Sequence, residues 1–242
     1  MDPRDRIILA LDVKTADEAL ILAEKLHPYV GAFKVGMELV HAAGYSIFDR
    51  LKSAGVGRIF YDCKLHDIPN TVGSAMKVIG AKGLWMTNVH ATGGLRMVRA
   101  AAEGLVEGQK SSGATNPTIL LGVTVLTSLS PEELNEELCV PLTPEHYVVH
   151  LAKLTQAAGA QGVVSSPHEI EAVRAACGPD FAIVTPGVRP AGVDSGDQRR
   201  IMTPSEAIKR GATYLVIGRA VTAATDHVAA AKSIESEIAS VV

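Results

Sequence analysis

The stretch RIFYDCKLHDIPNT, residues 58–71, decides how the chain is read. An apolar run enters it, and Asp62, Lys64, His66 and Asp67 leave it. A buried strand that ends in charges is the pattern expected at the catalytic end of a parallel β/α unit. The same pattern of short β-rich runs recurs along the chain. RIILALD (6–12), FKVG (33–36) and RIFYDCK (58–64) are followed by LWMTNVH (84–90) and TILLGVTVL (118–126). GVVSS (162–166), AIVTPG (182–187) and YLVIG (214–218) complete a set of eight. Each is apolar nearly throughout, as strands covered on both faces are.

Helix-start signals lie between the runs. Thr15 with Glu18 forms a capping-box pattern, and SPEE (130–133), SPHE (166–169) and TPSE (203–206) repeat it with Pro at the first helical position. Gly55, Gly83 and Gly211 fall where helices would end. Eight β-then-α units in 242 residues predict a (β/α)8 TIM barrel, an α/β fold whose usual size is about 250 residues. An open doubly wound sheet is the competitor, but no GxGxxG follows the first strand. No linker or low-complexity tract divides the chain, so residues 1–242 read as a single catalytic domain. GQKSSGATNP (108–117) reads as a surface loop.

Composition narrows the function. Hydrophobic residues make up 47% and aromatics 4%, so aliphatic side chains must fill the core. A net charge of −3 argues against a general nucleic-acid binder. The three cysteines, Cys63, Cys139 and Cys177, have no metal-ligand spacing and suit reduced thiols in a cytoplasm. No apolar run approaches the ~20 residues of a membrane span, and no signal peptide precedes the first strand.

Residues two apart on a strand share a face, so Asp62 and Lys64 project together into the barrel mouth. Lys34 on the neighbouring strand can reach Asp62, and Asp12 can reach Lys34. The expected result is an alternating row: Asp12, Lys34, Asp62, Lys64, Asp67. A structural salt-bridge network is the alternative, but burying such charges costs roughly several kcal/mol per ion before pairing offsets it, so such rows are retained more often for chemistry than for stability. Flanking carboxylates favour an ammonium at Lys64, hence a proton donor and not a Schiff-base nucleophile. A second constellation suits a phosphate. PGVRP (186–190) supplies Arg189, and GRAVT (218–222) supplies Gly218 and Arg219. AGVDSGDQRRI (191–201), with Gln198, reads as a lid between them. His90 either lines the site or satisfies the core, and His66 orients its own backbone. His146 and His150 share a helix face without a third ligand.

The segments LALDV, FKVGMEL, DCKLHDIPNT, VHATGG, LTS, TPGVRP and IGRAVT occur in an order that resembles the orotidine 5'-phosphate decarboxylase family. The likeness spans nearly the whole chain. It implies a barrel of the ribulose-phosphate-binding type that converts orotidine 5'-phosphate to UMP as a homodimer, with no metal or organic cofactor. Lys64 would then protonate C6 of the pyrimidine, with Asp62 beside the substrate carboxylate and Lys34 linking ribose to the charge row. Asp12 would hold a ribose hydroxyl. Asp67 and Thr71 would reach the partner's site, and Ile68 would also contact substrate. Thr127 and Ser128 would meet the base region, Pro186 would contact substrate, and Arg189, Gln198, Gly218 and Arg219 would hold the phosphate. Cys63 stands where the family more usually has an aliphatic residue. Two other readings remain: a Mg-dependent sugar-phosphate enzyme of the same suprafamily (3-keto-gulonate 6-phosphate decarboxylase or hexulose phosphate synthase), and a non-catalytic nucleotide-binding barrel.

Overall fold

The computed structural model describes residues 1–113, 116–190 and 202–242. Eight parallel strands close on themselves in sequence order: β1 Ile7–Ala10, β2 Ala32–Val35, β3 Ile59–Leu65, β4 Met86–His90, β5 Ile119–Val123, β6 Gly162–Val164, β7 Ala182–Thr185 and β8 Tyr214–Ile217. β1 pairs with β8 through Ile8↔Val216, which closes the cylinder and excludes the open sheet. Ten α-helices are described: α1 Ala16–Leu26, α2 Met37–Ala43, α3 Ser46–Ser53, α4 Pro69–Gly80, α5 Gly94–Ser112, α6 Pro144–Ala157, α7 Ile170–Cys177, α8 Pro204–Lys209, α9 Arg219–Thr222 and α10 His227–Ala239.

Strand alternation divides the apolar residues between two cores. Ile7, Leu9 and Leu11 face the helices, whereas Ile8 joins Ala32, Phe60, Met86, Leu121, Val184 and Tyr214 inside the barrel. Trp85 packs edge-on against Tyr214 at 5.1 Å, with Arg58 stacked over its ring. Burying both faces of every strand accounts for the near-continuous apolar runs.

The capping signals hold with variations. Thr15 accepts from Glu18 N–H, but Glu18 reaches Lys14 N–H and not that of Thr15. Thr203 and Glu206 complete a reciprocal box. Ser130 and Glu133 do likewise, ahead of a π-helical turn at Glu133–Glu137. Gly55, Gly83 and Gly211 all have positive φ.

The loop expected over 108–117 is corrected, because α5 continues through Ser112 before Gly113 caps it at φ 70°. Gly108 is helical for a packing reason. A Cβ there would lie 1.9 Å from the Lys77 carbonyl oxygen, and one on Gly104 would lie 2.1 Å from that of Gly73. These glycines let α5 lie backbone to backbone on α4. The expected lid, 191–201, lies outside the described residues, and Gln198 with it.

Candidate active site

Beyond Phe60 the inward positions of the strands turn polar, and a cavity of about 320 Å³ opens at their C-terminal ends. Asp12, Lys34, Asp62 and Lys64 line it from β1, β2 and β3. Thr127, Pro186, Arg189, Gly218 and Arg219 line it from the segments after β5, β7 and β8. Between these groups lie Val123, Val125, Leu126, Val164, Val188 and Val216. The cavity thus combines ionic side chains with an apolar wall, as a site for a charged ligand with an apolar part requires.

Four of the five expected charges form a continuous row. Lys34 Nζ lies 3.0 Å from Asp12 Oδ1 and 3.4 Å from Asp62 Oδ2, and Lys64 Nζ lies 2.7 Å from Asp62 Oδ1. Lys34 and Asp62 are buried, whereas the Asp12 side chain is 62% exposed. Burial pushes the Asp62 carboxyl up most strongly, but Lys34, Lys64 and hydrogen bonds from Lys64 and Asn88 outweigh it and hold it below the usual range. Burial likewise opposes charge on Lys34, yet Asp62 and Asp12 prevail and raise it. Both buried groups are therefore held in their charged forms at neutral pH.

The fifth charge stands apart. Asp67 is exposed and accepts the N–H of Ile68, and Ile68 and Thr71 are exposed beside it. None of the three lines the cavity within this chain. Ser128 is exposed just past Thr127 and also lies off the lining. His66 and His90 pack ring against ring at 5.6 Å near Lys64. Burial foremost, then His66 and Lys64, lowers the pKa of His90 against the pull of Asp62. Among the described residues no group of three or more His, Cys, Asp and Glu could hold a metal ion.

Lys64 has a backbone that strand geometry does not explain. Its φ is 49°, in the left-handed region. It sits where the β3–β4 register shifts: Tyr61 pairs with Thr87 and Leu65 with Val89, four steps against two. Lys64 N–H donates to Asn88 Oδ1 at 2.7 Å, and Asn88 Nδ2 donates to Asp62 Oδ1 at 2.7 Å. Cys63 points the other way, its thiol against Thr87 Oγ1 and the Asn88 carbonyl. Reading the sequence missed Asn88, because nothing in LWMTNVH marks the bulge that gives it partners. It also missed Ser165, a cavity-lining serine whose only signal is its place at the end of GVVSS.

On the β7–β8 side of the cavity, Arg189 N–H donates to the Met202 carbonyl at 3.0 Å, which fastens the segment after β7 to the approach to α8. Gly218 leaves β8 with its Cα facing Ala10 and Asp12, whose Oδ2 would lie 3.9 Å from any Cβ there.

Comparison with known proteins agrees with this geometry. The profile of the orotidine 5'-phosphate decarboxylase / HUMPS family matches residues 5–234. The orotidine 5'-phosphate decarboxylase of Heliobacterium modesticaldum is 49% identical over 239 residues, covering 99% of this chain and 98% of the relative. That of Moorella thermoacetica is 50% identical over 238 residues, covering 98% and 94%. Among solved structures, orotidine 5'-phosphate decarboxylase from Lactobacillus acidophilus superposes with a TM-score of 0.84 at 38% identity, covering 96% of this chain and 98% of that one. With a closed eight-stranded barrel, an acid–lysine row at its mouth and relatives matched from end to end, the chain belongs to the orotidine 5'-phosphate decarboxylase / HUMPS family.

Proposed function

We propose that the chain decarboxylates orotidine 5'-phosphate to UMP, with Lys64 as proton donor. The observation that carries this reading is the row Lys34–Asp62–Lys64, two buried charges and an ammonium held at a cavity mouth. In the reaction the bond from C6 to the carboxylate breaks, CO2 leaves, and the electron pair stays on C6. The pyrimidine ring delocalises that pair poorly. A fixed ammonium beside it supplies electrostatic stabilisation, in a place where water would otherwise have to reorganise. Lys64 then passes its proton to C6 and recovers one from solvent. Asp62, 2.7 Å away, keeps the ammonium aimed.

The remaining roles are those that the family resemblance implies. Arg189, Arg219 and Gly218 take the phosphate, with Gln198 as a further candidate. Asp12 and Lys34 take the ribose, Thr127 borders the base and Pro186 contacts substrate, while Ser128, off the cavity lining, would have to move to join Thr127. Phosphate binding far from the reacting carbon can drive closure around the substrate. Asp67, Ile68 and Thr71, exposed and off the cavity, suit a homodimer in which they serve the neighbouring site. The reading extends to residues 1–242 as a single catalytic domain in the cytoplasm, supported by three unpaired cysteines. No described helix is long and apolar enough to cross a membrane. Lys34 in β2 sets a cation in the cavity wall, a poor companion for Mg2+, which takes oxygen ligands, and this disfavours the metal-dependent reading.

The test is turnover by the purified chain in EDTA, followed by pyrimidine absorbance and identification of UMP. Sustained turnover is expected, and Arg219→Ala should raise KM by about 10- to 100-fold, the worth of one charge-assisted contact. Activity lost in EDTA and restored by Mg2+ would favour the metal-dependent reading. Tight UMP binding without turnover would favour the non-catalytic barrel.

A further inference from the structure

We propose that Asn88 is a positioning residue that sets the conformation and aim of Lys64 through a closed hydrogen-bonded ring with Asp62. Asn88 is fully buried and does not line the cavity. It lies on the inward face of β4, level with Leu121 of β5, behind the charge row. Its two amide ends meet the two catalytic neighbours. Oδ1 accepts the backbone N–H of Lys64, and Nδ2 donates to Asp62 Oδ1. The same Asp62 oxygen accepts Lys64 Nζ at 2.7 Å. The ring therefore runs from the Lys64 backbone through Asn88 and Asp62 to the Lys64 ammonium.

The amide orientation follows from its partners. Turning it over would set NH2 against an N–H and a carbonyl oxygen against a carboxylate, losing both bonds. The ring also accounts for the strained backbone. A left-handed lysine costs of order 1–2 kcal/mol and persists only where its surroundings enforce it. The register shift of β3 on β4 removes the ordinary ladder partner of Lys64 N–H, and Asn88 supplies another. Without that acceptor a part-buried donor is orphaned, the left-handed turn at residue 64 loses the contact that enforces it, and the approach of its ammonium to Asp62 is no longer fixed. Asn88 thus couples strain at Lys64 to the charge state of Asp62.

This inference rests on Lys64 being the proton donor, and two variants separate the claims. Asn88→Leu keeps the size and removes both bonds. Its kcat should fall about 10- to 100-fold, with UMP affinity within threefold of wild type, since Asn88 does not touch the ligand cavity. Asn88→Asp tests the donor directly. Its new carboxyl, when protonated, still donates to Asp62 and accepts from Lys64. When ionised it faces Asp62 with like charge. The other titratable groups nearby are Lys64, the buried Cys63 thiol, Lys34 beyond Asp62, and His90 on the same strand; Leu121 on β5 brings none.

The kcat of Asn88→Asp relative to wild type should therefore rise as pH falls from about 8 to about 5.5, the range over which a carboxyl raised by a like charge titrates. A ratio flat across that range, or Asn88→Leu with wild-type kcat, would overturn the proposal. So would a parallel loss of kcat and UMP affinity, the mark of a merely structural role. If Asn88→Leu does not fold, the pH ratio of Asn88→Asp decides alone. Failure of the underlying reading looks different: Lys64→Ala would retain turnover, whatever the Asn88 variants do.

Discussion

Asp62 accepts from Lys64 and Asn88 through one oxygen and faces Lys34 with the other. Its folded-state pKa is depressed, so its contribution to stability is present above the unfolded value of about 4 and is lost as pH falls through the folded one. Lys34 is raised, so its contribution is present below about 10.4 and is lost as pH rises through its folded value. Asp62→Asn leaves two lysines facing a neutral group, and breaking such a buried pair costs about 3–5 kcal/mol. Urea midpoints for wild type and Asp62→Asn should differ most between about pH 5 and 9, and the gap should narrow as pH drops below about 4. A gap that stays constant down to pH 3 would show that Asp62 is not held ionised by its partners. At this scale the sequence was legible where strand alternation governs: Asp62 and Lys64 share a face because they are two apart. Asn88 was not legible, because its role depends on a register shift that only the paired strands define.

The α4–α5 pair shows how elements override local propensity. Glycines in GQKSSGATNP suggest a loop, and helix propensity alone agrees. Yet Gly104 and Gly108 stay helical because the facing backbone leaves no room for a Cβ. Gly108→Ala would gain about 1 kcal/mol of helix propensity. It would also place a methyl against the Lys77 carbonyl, and overpacking of that kind costs about 1–3 kcal/mol, more when backbone is the obstacle. Net destabilisation is expected, read as a lower urea midpoint. A stabilised variant would mean that the two helices can separate freely. The eight strands were legible from their apolar runs, with ends displaced by at most three residues. Trimming occurs mostly at the C-terminal ends, as at Asp12, where the chain leaves the sheet to line the cavity.

For the whole molecule, closure of the barrel is what gathers distant segments. β1 lies beside β8, so Asp12 and Gly218 come within contact although 206 positions separate them in the chain. The count of strands made this closure legible. The place of Asp67 was not, since it lies past the end of β3, where strand alternation no longer governs: Asp67, Ile68 and Thr71 are exposed and stand off the cavity. If they serve the partner's site in a homodimer, mixing inactive Lys64→Ala and Asp67→Ala chains should restore turnover in proportion to heterodimer formed. Absence of recovery after confirmed subunit exchange would make each barrel self-contained.

The claim on which all of this depends is that the ammonium at position 64, pinned by Asp62, quenches the carbanion at C6. Turnover of orotidine 5'-phosphate by Lys64→Ala, with UMP affinity measured on the same preparation, tests it most directly. A fall of at least ~10⁴-fold in kcat is expected, the combined scale of a lost proton donor and a lost electrostatic contact, with UMP still bound. Turnover within tenfold of wild type would contradict it.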